Sequence, residues 1–87
     1  MAFRIETALR GGFTVYALSG RIEEPAIAEL KRLFEGQTDL RDIVFDLKDV
    51  SVIDREVMSF VAHCEANGVM LENCAPYIRE WMEREKD

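Results

Sequence analysis

The feature that most constrains this chain is the segment at residues 43–47, IVFDL, in which Asp46 is the only polar residue. It is too short for a helix, and it does not alternate as a strand with one wet face does. A short apolar run bounded by charged residues, here Asp42 and Lys48, fits an interior strand covered on both faces. Such a strand needs neighbours on both sides, and the rest of the chain supplies them.

Residues 3–9, FRIETAL, alternate apolar with polar, and residues 13–18, FTVYAL, follow across Gly11-Gly12. Strand, glycine pair, strand is a hairpin signal. Gly20 is expected to end the second strand. Glu23-Glu24-Pro25 opens a helix, because proline lacks only an N–H that has no partner in the first turn. The two glutamates suit the positive end of the helix dipole. Ile27, Leu30, Lys31 and Phe34 fall at helical spacing with Ala26 and Leu33 beside them, and Gly36 is the expected stop.

After residues 43–47, Asp49 is expected in a turn, and Val50, Val52 and Ile53 lead inward to Asp54. Asp54 is a good N-cap for a helix on residues 55–64, with Val57, Val61 and Cys64 on one face, Met58 and Phe60 flanking, and Asn67-Gly68 closing it. Residues 69–73 read as a short buried strand. Pro76 begins a last helix whose stripe is Ile78, Trp81 and Met82, with Tyr77 beside it. Arg79/Glu83 and Glu80/Arg84 are spaced as i, i+4 ion pairs, and the charged tail, residues 83–87, is expected to fray. The predicted order is β-β-α-β-α-β-α, an α/β fold with a mixed sheet, right-handed crossovers and helices packed on it. No linker or repeat divides it, so residues 1–87 are taken as a single domain.

Charge narrows the partners. The net charge is -6, and Lys31-Arg32 is the only adjacent basic pair. Nucleic-acid binding needs basic charge to displace counterions from phosphates, and an anionic membrane repels an acidic surface. An acidic surface fits docking on a basic protein. No apolar stretch approaches membrane-spanning length, and residues 1–6 alternate charge with apolar residues instead of forming a secretory leader. The expectation is a cytoplasmic protein with Cys64 and Cys74 reduced.

Three segments also occur in a recognisable order: residues 15–22, VYALSGRI; residues 43–54, IVFDLKDVSVID; and residues 69–73, VMLEN, with the helix after them. In this the chain resembles the STAS domain family of sulfate transporters and anti-sigma factor antagonists. The resemblance covers residues 13–82, and FDLKDVSVID carries most of it. It implies a non-catalytic, bacterial protein-binding module for signalling regulation, with an anti-sigma factor, a switch kinase or another regulator as partner. Family members bind partners at the start of the helix after the second of these strands. A partner kinase phosphorylates a serine of the pair after the aspartate, which adds about −2 charge within the contact surface.

The chain departs from the family at that place. Asp54 is kept, but the serine pair is replaced by Arg55 and Glu56, and the following glycine by Val57. Neither replacement accepts a phosphoryl group, and the nearest hydroxyls are Ser51 and Ser59. The acidic residue of the first strand-to-helix turn is represented by Glu23 or Glu24. The last strand and helix of longer members are expected to be absent. The expected partner-binding residues are therefore Glu23, Glu24, Asp54, Arg55, Glu56, Val57 and Met58, the last two as apolar contacts. A sheet edge left open by the missing strand suggests a second reading, a self-associating structural homodimer.

Plainer readings stand beside these. Asp54 is sufficiently explained as a helix cap, and Arg55 and Glu56 as solvated first-turn residues. Glu56 as an imitation of phosphoserine is offset by the charge of Arg55 next to it. His63, Cys64 and Cys74 match no zinc spacing and include the only histidine, and adjacent helix residues diverge by about 100°, which argues against a Cys–His catalytic pair. Asp46, Asp49 and Asp54 are not spaced to converge on a cation. No glycine-rich loop with a following lysine joins a strand to a helix, so no nucleotide fingerprint is present. No catalytic residue, metal or cofactor is expected.

Overall fold

Two strands joined at Gly11-Gly12 open the computed structural model, which describes residues 3–34 and 39–85. The elements are β1 (Phe3–Arg10), β2 (Phe13–Ile22), α1 (Glu24–Phe34), β3 (Ile43–Ile53), α2 (Arg55–Ala66), β4 (Met70–Glu72) and α3 (Pro76–Glu85), with one 3-10 turn, Leu40–Asp42, before β3. The α/β order is the one read from the sequence. The four-stranded sheet runs β1-β2-β3-β4, antiparallel between β1 and β2 and parallel from β2 to β4. The expected stop at Gly36 and the tail residues 86 and 87 lie outside the described residues, as does the side chain of Phe34.

The layering differs from the sandwich that residues 43–47 suggested. Tyr16, Leu18 and Ile22 of β2 and Ile43, Phe45 and Leu47 of β3 share one core with Ala26, Leu30, Val57, Met58, Val61, Ile78 and Met82 of the three helices. Helix α2 packs between α1 and α3. Both crossovers step the same way across the sheet, and crossovers of one hand then place their helices on the same face. Val15 and Val44 point to the other face, paired with each other across β2 and β3. They are buried at 7% and 2% exposure although no described helix covers them. On that face Arg10 of β1 reaches Glu72 of β4 at 2.6 Å, so an ion pair from the two edge strands spans the two valines. The apolar run thus marks an interior strand, one of whose faces is shielded by side chains.

Strand β2 does not end at Gly20. It continues to Ile22, and β3 is one strand of 11 residues that includes Asp49. The register shows why. Ala17 and Ser19 pair with Asp46 and Asp49, and Gly20 and Arg21 pair with Val50 and Val52, so β3 carries one extra residue at each of two bulges. Gly20, at φ 85°, supplies the left-handed backbone next to the second bulge. Each bulge reverses which residues face the core, and Leu47, Val50 and Ile53 therefore all lie on the helix side despite their spacing.

The α1 stripe is rotated by one position from the expected one: Ala26 and Leu30 are fully buried, and Ile27 and Leu33 are partly buried. Lys31 is exposed, with its Nζ 5.9 Å from the centre of the Phe60 ring. In α3, Ile78 and Met82 enter the core as expected, while Tyr77 is 53% exposed. Arg79 donates to Glu65 of α2 at 2.9 Å, a bond between helices in addition to the i, i+4 neighbour read from the sequence. Strand β4 is only partly buried, with Met70 half exposed, where a buried strand was expected. Gly68, at φ 117°, sits where an added Cβ would lie 2.9 Å from Cγ of Arg41, so the α2–β4 turn requires glycine.

Candidate functional site

The C-terminal ends of β2 and β3 leave the sheet together. The Asp54 amide donates to the Ile22 carbonyl at 3.2 Å, which ties the start of α2 to the last residue of β2. Asp54 is extended, at φ −88° and ψ 170°, as an N-cap should be. Its two carboxylate oxygens divide between two helices. Oδ1 accepts from the Val57 amide at 2.9 Å, inside the first turn of α2. Oδ2 accepts from the Glu24 amide at 3.0 Å, the first residue of α1. One carboxylate thus satisfies backbone donors at two positive helix ends that lie 30 residues apart in sequence.

Around this clamp the expected residues separate into two groups. Glu24, Arg55 and Glu56 are exposed, and Glu23 and Asp54 are half-buried. Arg21 lies 3.8 Å from Glu23. Val57 and Met58 are at 0% exposure, inside the core between sheet and helices. Their assignment as apolar partner contacts is therefore corrected: as the third and fourth residues of α2 they turn into the shared core, while Arg55 and Glu56, which directly follow the cap, turn outward. The exposed apolar residue at this end is Val52, 44% exposed and paired with Arg21. Simple alternation from Ile53 would have marked Val52 as outward-facing, but the bulges hid the frame. The described surface at this end is thus Arg21, Val52, Glu23, Glu24, Arg55 and Glu56. Ser51 and Ser59 are also exposed, one in β3 and one in the second turn of α2.

The remaining candidates separate in space. Cys64 is buried, and burial pushes its thiol up to about 11, away from nucleophile chemistry at neutral pH. Burial also raises the thiol of Cys74, whose Sγ contacts the Ala75 carbonyl at 3.7 Å. Both thiols are free. His63 turns to the end of α2, with Nε2 3.3 Å from Nδ2 of Asn67, the C-cap residue.

Asp46 lies on the sheet face away from the helices. It accepts from Asn73 Nδ2 and from the Lys48 amide, both at 3.0 Å, and the Asn73 bond is the main cause that holds its carboxyl below the usual range. Asp46, Asp49 and Asp54 do not converge, and the described residues contain no group of three acidic, histidine or cysteine side chains that could hold a metal. No helix among them is long and apolar enough to cross a membrane.

No protein-family model matches this sequence, and a search of curated proteins finds no match.

Proposed function

We propose that this chain is a non-catalytic STAS-like protein-binding module that docks a regulatory partner, of the anti-sigma or switch-kinase kind, on the surface built around Asp54. The supporting observation is the shared cap: one carboxylate holds the N-termini of α1 and α2 together, which fixes Glu24 relative to Arg55 and Glu56. A rigid cluster of mixed charge beside one exposed valine suits protein recognition, where charges set specificity and an apolar residue is desolvated at the centre. Among the described residues the strand order does not reverse, so the four strands form no switch-point crevice of the kind that takes cofactors in open α/β sheets. In this reading Asp54 shapes the surface, Val52 takes the place of Val57 and Met58 as apolar anchor, and Arg55 and Glu56 select the partner. The setting is bacterial cytoplasm, and binding is not controlled by phosphate at positions 55 and 56.

The test is a quantitative pulldown with the wild-type chain, Arg55→Ala/Glu56→Ala and Val52→Asp, together with mass spectrometry after incubation with switch kinases of the same cell. The expected result is a partner lost at least about tenfold with both variants, which is a difference of about 1.4 kcal/mol, and no phosphate on the chain. Partners retained equally by all three proteins, or a phosphate on Ser51 or Ser59, would overturn the reading.

A further inference from the structure

The two edges of the sheet are unequal. Strand β4 is three residues long. Strand β1 is eight residues long and pairs with β2 without interruption from Phe3↔Gly20 to Arg10↔Phe13, so its outer side presents a straight row of backbone donors and acceptors. Sheet edges are protected by shortness, charged side chains (lysine above all), proline, bulges, inward-pointing charges or a covering element. Strand β1, FRIETALR, is not short, has no lysine or proline and no bulge in its pairing, and its charges, Arg4, Glu6 and Arg10, are of mixed sign and all lie on the face away from the helices, while Phe3, Ile5, Thr7 and Leu9 on the helix side carry none. Open-edge pairing was expected from the sequence at the other end of the sheet; the longer and less protected edge is β1.

We propose that β1 is a homodimerisation edge, pairing antiparallel with β1 of a second copy about a two-fold axis through Ile5. An antiparallel pair of identical strands has its axis normal to the sheet, which keeps both helix layers on one side and makes the interface isologous. The charges choose the register. With Ile5 opposite Ile5 of the second copy, Arg4 faces Glu6 and Glu6 faces Arg4, giving two opposite-charge cross-strand pairs on the side away from the helices. A shift of one residue in the axis, to Glu6, would set Glu6 against Glu6 and is disfavoured. Arg4 and Glu6 are both exposed, and among the described residues neither makes an ion pair.

A second observation lies on the helix side of the same edge. Phe3 and Ile5 line an open groove of about 440 Å³ together with Glu29 of α1. In the proposed register the grooves of two copies meet at the axis, and the two Ile5 side chains, with Phe3 opposite Thr7 on either side, close them. The proposed pairing uses none of Val52, Asp54, Arg55 and Glu56, so it stands apart from the reading above.

The experiment is sedimentation velocity on the full chain across a concentration series, with circular dichroism to confirm folding. Wild type is expected to reach twice the 10.0 kDa chain mass. Arg4→Glu and Glu6→Arg, each placing like charges at both cross-strand pairs, are expected to weaken the dimer at least about tenfold. Mixing the two variants one to one, or combining both substitutions in one chain, restores opposite pairs and should restore the dimer. A wild-type chain that stays monomeric at about 1 mM, where even weak association shows, overturns the proposal. So does a dimer that neither variant weakens, or one that weakens without rescue on mixing.

Discussion

Replacing Asp54 with alanine removes an acceptor from two helices at once, and its cost should exceed that of an ordinary cap. A single N-cap side chain is worth about 1 kcal/mol, within a range of roughly 0.5 to 2. Asp54 accepts from the Val57 amide at 2.9 Å and the Glu24 amide at 3.0 Å, so Asp54→Ala should cost about 2 kcal/mol. For a domain of this size each kcal/mol moves the melting temperature by about 4–8 °C, which gives a fall of about 10 °C. Asp54→Asn is the sharper probe. Asparagine caps a helix as well as aspartate does, but it has one acceptor atom, and its amide N–H₂ would then face the other backbone donor. Its cost should lie near half that of the alanine variant, about 1 kcal/mol. Urea unfolding followed by circular dichroism measures both. If Asp54→Asn is as stable as wild type, the second bond contributes nothing. If Asp54→Ala costs less than about 0.5 kcal/mol, the clamp does not hold the two helices.

Two further outcomes follow from burial. Met58→Ala should cost about 2–5 kcal/mol because Met58 is at 0% exposure, while Arg55→Ala and Glu56→Ala should stay within about 0.5 kcal/mol; similar losses for all three in urea unfolding would contradict the inward placement of Met58. The Cys64 thiol is raised to about 11 by burial, so the native chain keeps that proton longer than the unfolded chain, whose thiol titrates near about 8.5. Its contribution is complete below about pH 8.5 and is lost as pH rises through about 11, because the unfolded state releases the proton first. The urea midpoint should fall more steeply over this range for wild type than for Cys64→Ala, and equal slopes would refute the assignment.

The elements and their order were legible because each rests on a local signal. Pro25 and Pro76 sit in first turns, Asp54 caps α2, and Gly11-Gly12 joins a hairpin, and each of these depends only on backbone chemistry within a few residues. Burial at element ends was less legible. Helical spacing allowed an α1 stripe on Ile27 or on Ala26, since both positions flank Leu30, and only the sheet surface beneath selects between them. The resemblance places Val57 and Met58 on a partner-binding surface, yet the third and fourth residues of α2 already turn into the core.

The sequence alone determined that this chain alternates strands and helices around an interior strand at residues 43–47, because periodicity and turn chemistry are written residue by residue. The tertiary structure decided the rest. It set all three helices on one sheet face, moved Val52 outward through two bulges whose positions depend on pairing with β2, and left β1 as the long open edge. It also joined Asp54 to Glu24, whose amide is brought within reach only when β2 and β3 end side by side. Those outcomes depend on strand register, a relation between distant segments that no local pattern encodes.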